Sequence, residues 1–318
     1  MIRELKRLIN DKFLIPVWTV FILLICIWPI VFINSASYTS RNQTYCIRYN
    51  NQEELALIIE NYQTEYDRAI TLDAKNKVKK ELDFYNYLYE SKIAYKDFRV
   101  DQELTMNMTK ISFLRFVIPL LSITLFSIIS LTNIKIFNFD VSAKTYKYLY
   151  NDYKDSFKLY LNKVLTSIVI SALYLLLSIA LISIIGLSLT NSFKEVIFRY
   201  NEIFTISCLK LILNIYLLFI IQFVTFEILS LAISSLYLSS IITFIINLAV
   251  AVIMYAANGV KQLAIFNYSL DITKYGYNIQ SIYLIALVYF VACAFLLAMS
   301  IVYIKKFKFK NNIKYVNV

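Results

Sequence analysis

A polar, tyrosine-rich segment separates two strongly apolar stretches of this chain and is a candidate surface for contact with another protein. It covers residues 140–163 and reads DVSAKTYKYLYNDYKDSFKLYLNK. Four of its side chains recur every three or four residues and so share one face of a helix: Tyr146, Leu149, Tyr150 and Tyr153. Tyrosine offers a large contact area at low entropy cost, which favours a protein–protein contact. A helix lying on the lipid surface fits the same residues equally well, because lipid interfaces also favour tyrosine and lysine.

Two charged residues lie inside a later apolar run, where a charge costs at least about 2.5 kcal/mol at the membrane centre. Lys210 and Glu227 are seventeen residues apart, which is about 25 Å along a helix, so they cannot pair with each other. Lys210 lies near one end of the run and can extend its amine to the membrane surface. Glu227 is shorter. It either lines a transport pathway, together with Gln222, or bonds a neighbouring helix.

Several kinds of catalytic and binding site are excluded by composition. The chain has 318 residues, no histidine and only three glycines. The missing histidine excludes imidazole ligands for zinc or haem and excludes a Ser-His catalytic pair. The missing Gly-x-x-x-x-Gly-Lys pattern excludes ATP binding by a P-loop. We expect no catalytic residue, no metal site and no cofactor site in this chain, and an intramembrane enzyme is a poor alternative.

The overall composition is that of a membrane protein that crosses the bilayer several times. Hydrophobic residues make up 59% of the chain and charged residues 17%, against about 45–50% and about 25% in soluble domains. The mean hydropathy is +0.61. With that hydropathy, the net charge of +11 favours a membrane-lipid surface as partner and not nucleic acid.

Six apolar runs are long enough to cross a bilayer as helices. They are residues 13–33, 111–133, 164–189, 203–233, 241–257 and 281–304. The short flanks on one side carry fourteen Lys and Arg residues and those on the other side carry four, which predicts that both termini are cytoplasmic. We therefore predict an all-α polytopic protein of a bacterial plasma membrane. Cleavage of the first run as a signal peptide is a weaker alternative, because that run is longer than a usual signal-peptide core.

The remaining segments complete the predicted organisation. Residues 1–12 form a cytoplasmic amphipathic helix, or only a charged flank that sets the orientation. Residues 34–110 form an extracellular helical hairpin, or only a spacer, with Asp73 as the expected cap of its second helix. Residues 134–163 are a cytoplasmic loop, which we call the coupling segment. We predict extracellular loops at residues 190–202 and 258–280, and the second loop could also re-enter the membrane. Residues 305–318 form a basic cytoplasmic tail.

This arrangement resembles the permease subunit of a type-2 ATP-binding-cassette exporter. Members of that family have an amphipathic N-terminal helix, six crossings, a helical outer domain and a coupling helix between the second and third crossings. Their coupling loop has an acidic residue, three variable positions, Gly-Thr, and then a lysine about eighteen residues later. Here Asp140 stands at the acidic position, Lys144-Thr145 at Gly-Thr, and Lys163 eighteen residues after Thr145. Leu149 occupies a position that is usually aliphatic, while Lys144 replaces the glycine.

The resemblance implies a mechanism and a set of partners. Two permease chains, identical or different, would form a pathway, and separate cytoplasmic ATPase subunits would bind ATP and Mg²⁺. The residues that would couple to the ATPase are Asp140, Thr145, Tyr146, Leu149, Tyr150, Tyr153 and Lys163. The expected cargo is a peptide or a hydrophobic small molecule moved out of the cell. The alternative from another class is a membrane scaffold or sensor that needs no ATPase and binds a ligand through its extracellular hairpin.

Overall fold

The computed structural model describes residues 6, 8, 14–39, 47–100, 110–142, 156–189, 194–199, 203–235, 240–256 and 279–303. Four predicted segments lie wholly or largely outside these residues: the helix at 1–12, the central part of the coupling segment at 143–155, the loop at 258–280 and the tail at 305–318. The described part is mostly helical, which confirms the main feature of the predicted fold class.

Eight α-helices follow one another in the described part of the chain. They are α1 (Leu14–Thr39), α2 (Gln52–Arg68), α3 (Leu72–Glu90), α4 (Lys110–Ser142), α5 (Ser156–Leu187), α6 (Cys208–Ser234), α7 (Ser240–Ala256) and α8 (Ile279–Tyr303). Three strands accompany them: β1 (Phe98–Val100), β2 (Glu195–Arg199) and β3 (Ile203–Ser207).

Four of these helices are long and apolar enough to cross a membrane. The apolar stretches are Pro16–Asn34, Phe116–Phe137, Phe157–Leu187 and Cys208–Ser234. Shorter apolar stretches, Ser240–Val250 and Phe290–Val302, lie in α7 and α8. A helix satisfies its own backbone hydrogen bonds, so it can lie in lipid without water. The chain is therefore a multi-pass membrane protein.

The central helix of the bundle is α4, which packs against α1, α5, α6 and α7, while α8 packs against α6. The rings of Phe126 on α4 and Phe226 on α6 stack with their centroids 4.0 Å apart. The indole N–H of Trp28 on α1 donates to Thr124 Oγ1 of α4 at 3.3 Å. Aromatic packing and hydrogen bonding thus hold the outer helices on α4, as expected where lipid supplies no hydrophobic force between helices.

A three-stranded sheet packs against the apolar bundle through Val196 and Ile206, and the prediction of an all-α fold omitted it. The strand order is β1-β2-β3, with β1 and β2 parallel and β2 and β3 antiparallel. The backbone N–H of Lys194 donates to the carbonyl of Asp97, and the N–H of Cys208 donates to the carbonyl of Lys194, both at 2.8 Å. The sheet therefore joins the end of the α2–α3 region to the start of α6.

The helices α2 and α3 pack against each other and against this sheet. Their shared core contains Leu55, Phe84, Tyr85 and Leu88 from the helices and Ile197 from β2, all buried. The N-cap of α3 is Thr71, whose hydroxyl accepts from the N–H of Ala74 at 3.3 Å. The expected cap, Asp73, lies instead in the first turn of α3, where its charge favours the helix dipole.

Three helix boundaries differ from the predicted crossings. The second predicted crossing ended at residue 133, but α4 continues to Ser142, and α5 begins at Ser156, not at residue 164. The fourth predicted crossing began at Ile203, but residues Ile203–Ser207 form β3. The β-branched and aromatic residues there favour a strand and pair with β2. The helix α6 then begins where Ser207 caps it by accepting from the N–H of Lys210.

Candidate functional site

The side of α5 that packs into the bundle carries a row of polar side chains beside apolar ones, whereas the opposite side is apolar. Six buried side chains with polar groups recur every three or four residues, and we call them the polar stripe: Tyr160, Lys163, Ser167, Ser171, Tyr174 and Ser178. The opposite side exposes Leu165, Ile168 and Leu176. This arrangement is the reverse of that on a helix at the surface of a soluble protein, and it fits a helix whose outer face contacts lipid.

Four side chains from three helices meet on this stripe, and we call them the Glu227 cluster. They are Asn133 of α4, Ser167 of α5, and Glu227 and Ser230 of α6. Glu227 is 5% exposed and the other three are fully buried. Ser230 lies three residues after Glu227, so both project from the same face of α6.

The cluster is joined by a ring of hydrogen bonds. Ser167 Oγ lies 2.9 Å from Glu227 Oε1 and also donates to Asn133 Oδ1. The amide Nδ2 of Asn133 donates to Ser230 Oγ at 3.0 Å and lies 3.4 Å from Glu227 Oε2. Interhelical hydrogen bonds in membranes contribute about 0.6 kcal/mol each on average. The ring therefore links α4, α5 and α6 at one level of the bundle.

The hydrogen-bond partners of Glu227 in the described residues are neutral. They are the hydroxyl of Ser167 and the amide of Asn133. An ionised carboxylate buried among neutral groups is costly, because neutral partners replace only part of its hydration. Such carboxyl groups inside membrane proteins mark functional sites more often than structural ones. Glu227 is therefore the strongest candidate for a functional residue in the described part of the bundle.

Gln222, the other predicted pathway residue, is also buried, being 6% exposed. Its Oε1 accepts from Ser122 Oγ of α4 at 3.3 Å. The same hydroxyl lies 2.9 Å from the carbonyl of Ile118 in its own helix. Gln222 and Glu227 thus both hydrogen-bond α4, and the structure places each of them between helices of one chain.

The charge at Lys210 is explained by the position of the helix start. Because α6 begins at Cys208, Lys210 lies in its first turn and its side chain is exposed. Its amine therefore needs only a short extension to meet the membrane surface, in the direction that the sequence predicts.

Two of the residues assigned to ATPase coupling lie in described helices. Asp140 is in the last turn of α4. Lys163 is in the second turn of α5, where it is 2% exposed and its ammonium nitrogen lies 5.9 Å from the ring centroid of Phe137. The other five, Thr145, Tyr146, Leu149, Tyr150 and Tyr153, lie outside the described residues.

Sequence reasoning missed Asn133, Ser167 and Ser230. Asn133 stood at the predicted end of a crossing, where polar residues are ordinary. Serines occur in apolar helices without any role, because their hydroxyls bond their own backbone. The available signal was the helical spacing of Lys163, Ser167, Ser171, Tyr174 and Ser178, which marks a single polar face within an apolar run.

Among the described residues, no group of three or more Cys, Asp and Glu side chains could hold a metal ion. Comparison of the chain with protein-family models, with curated proteins and with solved structures found no match. The function is therefore argued from the residues themselves.

Proposed function

We propose that this chain is the transmembrane permease subunit of an ATP-binding-cassette exporter in a bacterial plasma membrane. It works with a second permease chain and with separate cytoplasmic ATPase subunits that bind ATP and Mg²⁺. The cargo is a peptide or a hydrophobic small molecule, which moves outward. The chain crosses the membrane six times with both termini inside, and α2 and α3 form an extracellular hairpin.

The observation that carries this proposal is the spacing of Asp140, Thr145 and Lys163 in the coupling segment. This spacing resembles that of exporter permeases, and the segment stands between two membrane helices, α4 and α5. The apolar stretch of α4 ends at Phe137 and that of α5 begins at Phe157. Asp140 therefore lies beyond the apolar part of its helix, as a contact with a soluble partner requires.

The contacts of α5 support a mechanical role for the coupling segment. A force on residues 143–155 acts directly on the start of α5. Lys163 is buried near Phe137 of α4, and Ser167 bonds both α4 and α6 through the Glu227 cluster. Movement of α5 would therefore be transmitted to two other membrane helices, α4 and α6. That is what a docking helix needs if ATP-driven closure of its partner is to change access to a pathway.

The six-crossing orientation is supported by the charge bias of fourteen to four and by the two shorter apolar stretches in α7 and α8. With both termini inside, the α2–α3 pair and the three-stranded sheet lie outside the cell, and the coupling segment lies inside. A cytoplasmic ATPase can then reach the coupling segment directly.

The experiment that tests the proposal is purification of the tagged full chain from its native membrane, followed by identification of co-purifying proteins. The expected result is an ATPase with P-loop motifs, and ATP hydrolysis by the complex that requires Mg²⁺. A chain that inserts normally and purifies without any ATPase would contradict the proposal. The scaffold or sensor function would then be preferred.

A further inference from the structure

The Glu227 cluster has more hydrogen-bond acceptors than protons if Glu227 is ionised. Ser167 has one hydroxyl proton, yet its oxygen contacts two acceptors, Glu227 Oε1 and Asn133 Oδ1. The two amide protons of Asn133 are directed toward Ser230 and Glu227 Oε2, so neither is available for the contact with Ser167. With an ionised Glu227, one of the two contacts of Ser167 therefore joins two oxygens with no proton between them, which is unfavourable in a buried site. Reversing the Asn133 amide would let Nδ2 donate to Ser167, but it would place Oδ1 3.4 Å from the ionised Glu227 Oε2, again with no proton between the two oxygens.

One added proton removes this conflict. If Glu227 Oε1 carries a proton, Glu227 donates to Ser167, and Ser167 donates to Asn133. Asn133 then donates to Glu227 Oε2 and to Ser230, which closes the ring. Each of these contacts now pairs a donor with an acceptor, and the ring itself carries no net charge.

We propose that Glu227 is a proton-binding site of the membrane bundle and that its closed ring of hydrogen bonds is the proton-loaded state. Release breaks the Oε1–H bond, passes the proton to water and leaves a carboxylate on α6. The buried hydroxyl of Ser171 lies one turn along α5 from Ser167 and faces the Glu227 carboxyl group, but no acceptor or donor in the described residues meets hydrogen-bond geometry with it. Buried hydroxyls of this kind are commonly satisfied by water, so a water bound at Ser171 is the proton acceptor that we assign to Glu227.

Other titratable side chains on the packed elements determine how the bundle responds to proton release. The described ones are Cys208, Lys210 and Tyr216 on α6 itself, Lys110 and Lys135 on α4, Lys158, Tyr160, Lys163 and Tyr174 on α5, and Cys293 on α8; those described on α7 and β3 include none. Among these cations only Lys163 is buried. It lies four residues before Ser167, about 6 Å along the helix.

Lys163 therefore supplies the counter-charge for an ionised Glu227. In the loaded state Glu227 bonds Asn133 and Ser167, and Lys163 lies near Phe137. In the released state the carboxylate attracts the ammonium group of Lys163, whose backbone lies one helical turn from that of Ser167. This inference stands without the ATPase-driven function, because it depends only on contacts within one chain.

The test is infrared spectroscopy of the purified full chain in a detergent without ester groups. A protonated carboxyl group gives a carbonyl-stretch band that an ordinary glutamate, ionised at neutral pH, does not give. We expect this band at neutral pH in the unchanged chain and its loss in Glu227→Gln. Glu60→Gln, a matched change at an exposed position of α2, should keep the band.

A second variant tests the hydrogen-bond geometry. Ser167→Ala removes the group that accepts the Glu227 proton, so the band should remain and shift to higher frequency. Absence of the band from the unchanged chain, its survival in Glu227→Gln, or an unshifted band in Ser167→Ala would each overturn the proposal. These infrared measurements depend neither on transport nor on an ATPase. Their outcome therefore tests the proton-binding site separately from the proposed function.

Discussion

Glu227 is the residue on which the account of the membrane bundle depends most. Its sequence position showed only a carboxyl group inside an apolar run, and two interpretations stayed open. The structure places it against Asn133 and Ser167 of two neighbouring helices. It therefore bonds neighbouring helices, and a role in transport would act through those helices.

The first prediction concerns Glu227→Gln. A glutamine has nearly the same shape, and its Nε2 can donate to Ser167 as the protonated carboxyl group does, so the chain should insert and assemble normally. Because glutamine cannot release a proton, transport should fall by at least about tenfold, which corresponds to about 1.4 kcal/mol. The measurements are gel filtration of the complex and ATP-dependent transport in vesicles. Wild-type transport by this variant would leave Glu227 with a structural role only.

At this scale the sequence predicted the unusual residues better than their partners. Gln222 and Glu227 were identifiable because charged and amide side chains are rare in apolar helices, and Lys163 was identifiable from its spacing to Thr145 in the resemblance to exporter permeases. Asn133 and Ser230 were not, because their importance depends on which helices meet. Single-sequence patterns show the face of a helix but not the neighbour that this face contacts.

At the scale of elements, the apolar helices were predictable and the small sheet was not. Length and hydropathy identified the runs that became α1, α4, α5 and α6. The strands are three to five residues long, and β1 pairs with β2 across about one hundred residues of sequence. Such long-range pairing leaves little local signal, since β propensity depends strongly on context. The run Ile203–Ser207 was apolar enough to be taken for the start of a membrane helix.

The second prediction concerns the core of the α2–α3 pair. Phe84 is fully buried there and makes an edge contact with Phe98, with ring centroids 6.3 Å apart. Phe84→Ala should destabilise this unit by about 3–5 kcal/mol. Limited trypsin digestion of the purified chain should then cut rapidly between residues 68 and 99.

The matched control is Lys194→Ala at the edge of the same sheet. Lys194 Nζ lies 3.5 Å from Asp97, but its side chain is 78% exposed. Exposed ion pairs contribute about 0–1 kcal/mol, so this variant should resist trypsin like the unchanged chain. Equal digestion of both variants and the unchanged chain would show that the described core does not hold the unit together.

At the scale of the whole molecule, the proposed orientation rests on the charge bias of the short flanks. The third prediction is that residue 76 in α3 lies outside the cell. A single cysteine at Asn76, an exposed position, in a chain lacking its four natural cysteines should react with an impermeant maleimide on intact cells. A cysteine replacing Lys154 in the coupling segment is the control and should react only after lysis. Labelling in the opposite order would invert the topology and place the coupling segment outside.

The central claim is that the coupling segment docks an ATPase, and the double variant Leu149→Ala, Tyr150→Ala tests it most directly. Buried anchors of such contacts commonly cost about 2 kcal/mol or more each on truncation, roughly a thirty-fold loss of affinity per residue. The measurement is the amount of ATPase that co-purifies with the full chain and the transport rate of the complex. Lys154→Ala is the control, since the sequence places Lys154 at the rim of the predicted aromatic face, where an ion pair contributes about 0–1 kcal/mol. The account predicts that the double variant inserts normally but loses its ATPase or its transport, while Lys154→Ala keeps both. A double variant that retains its ATPase and transports at the wild-type rate would contradict the docking assignment and favour a helix that lies on lipid.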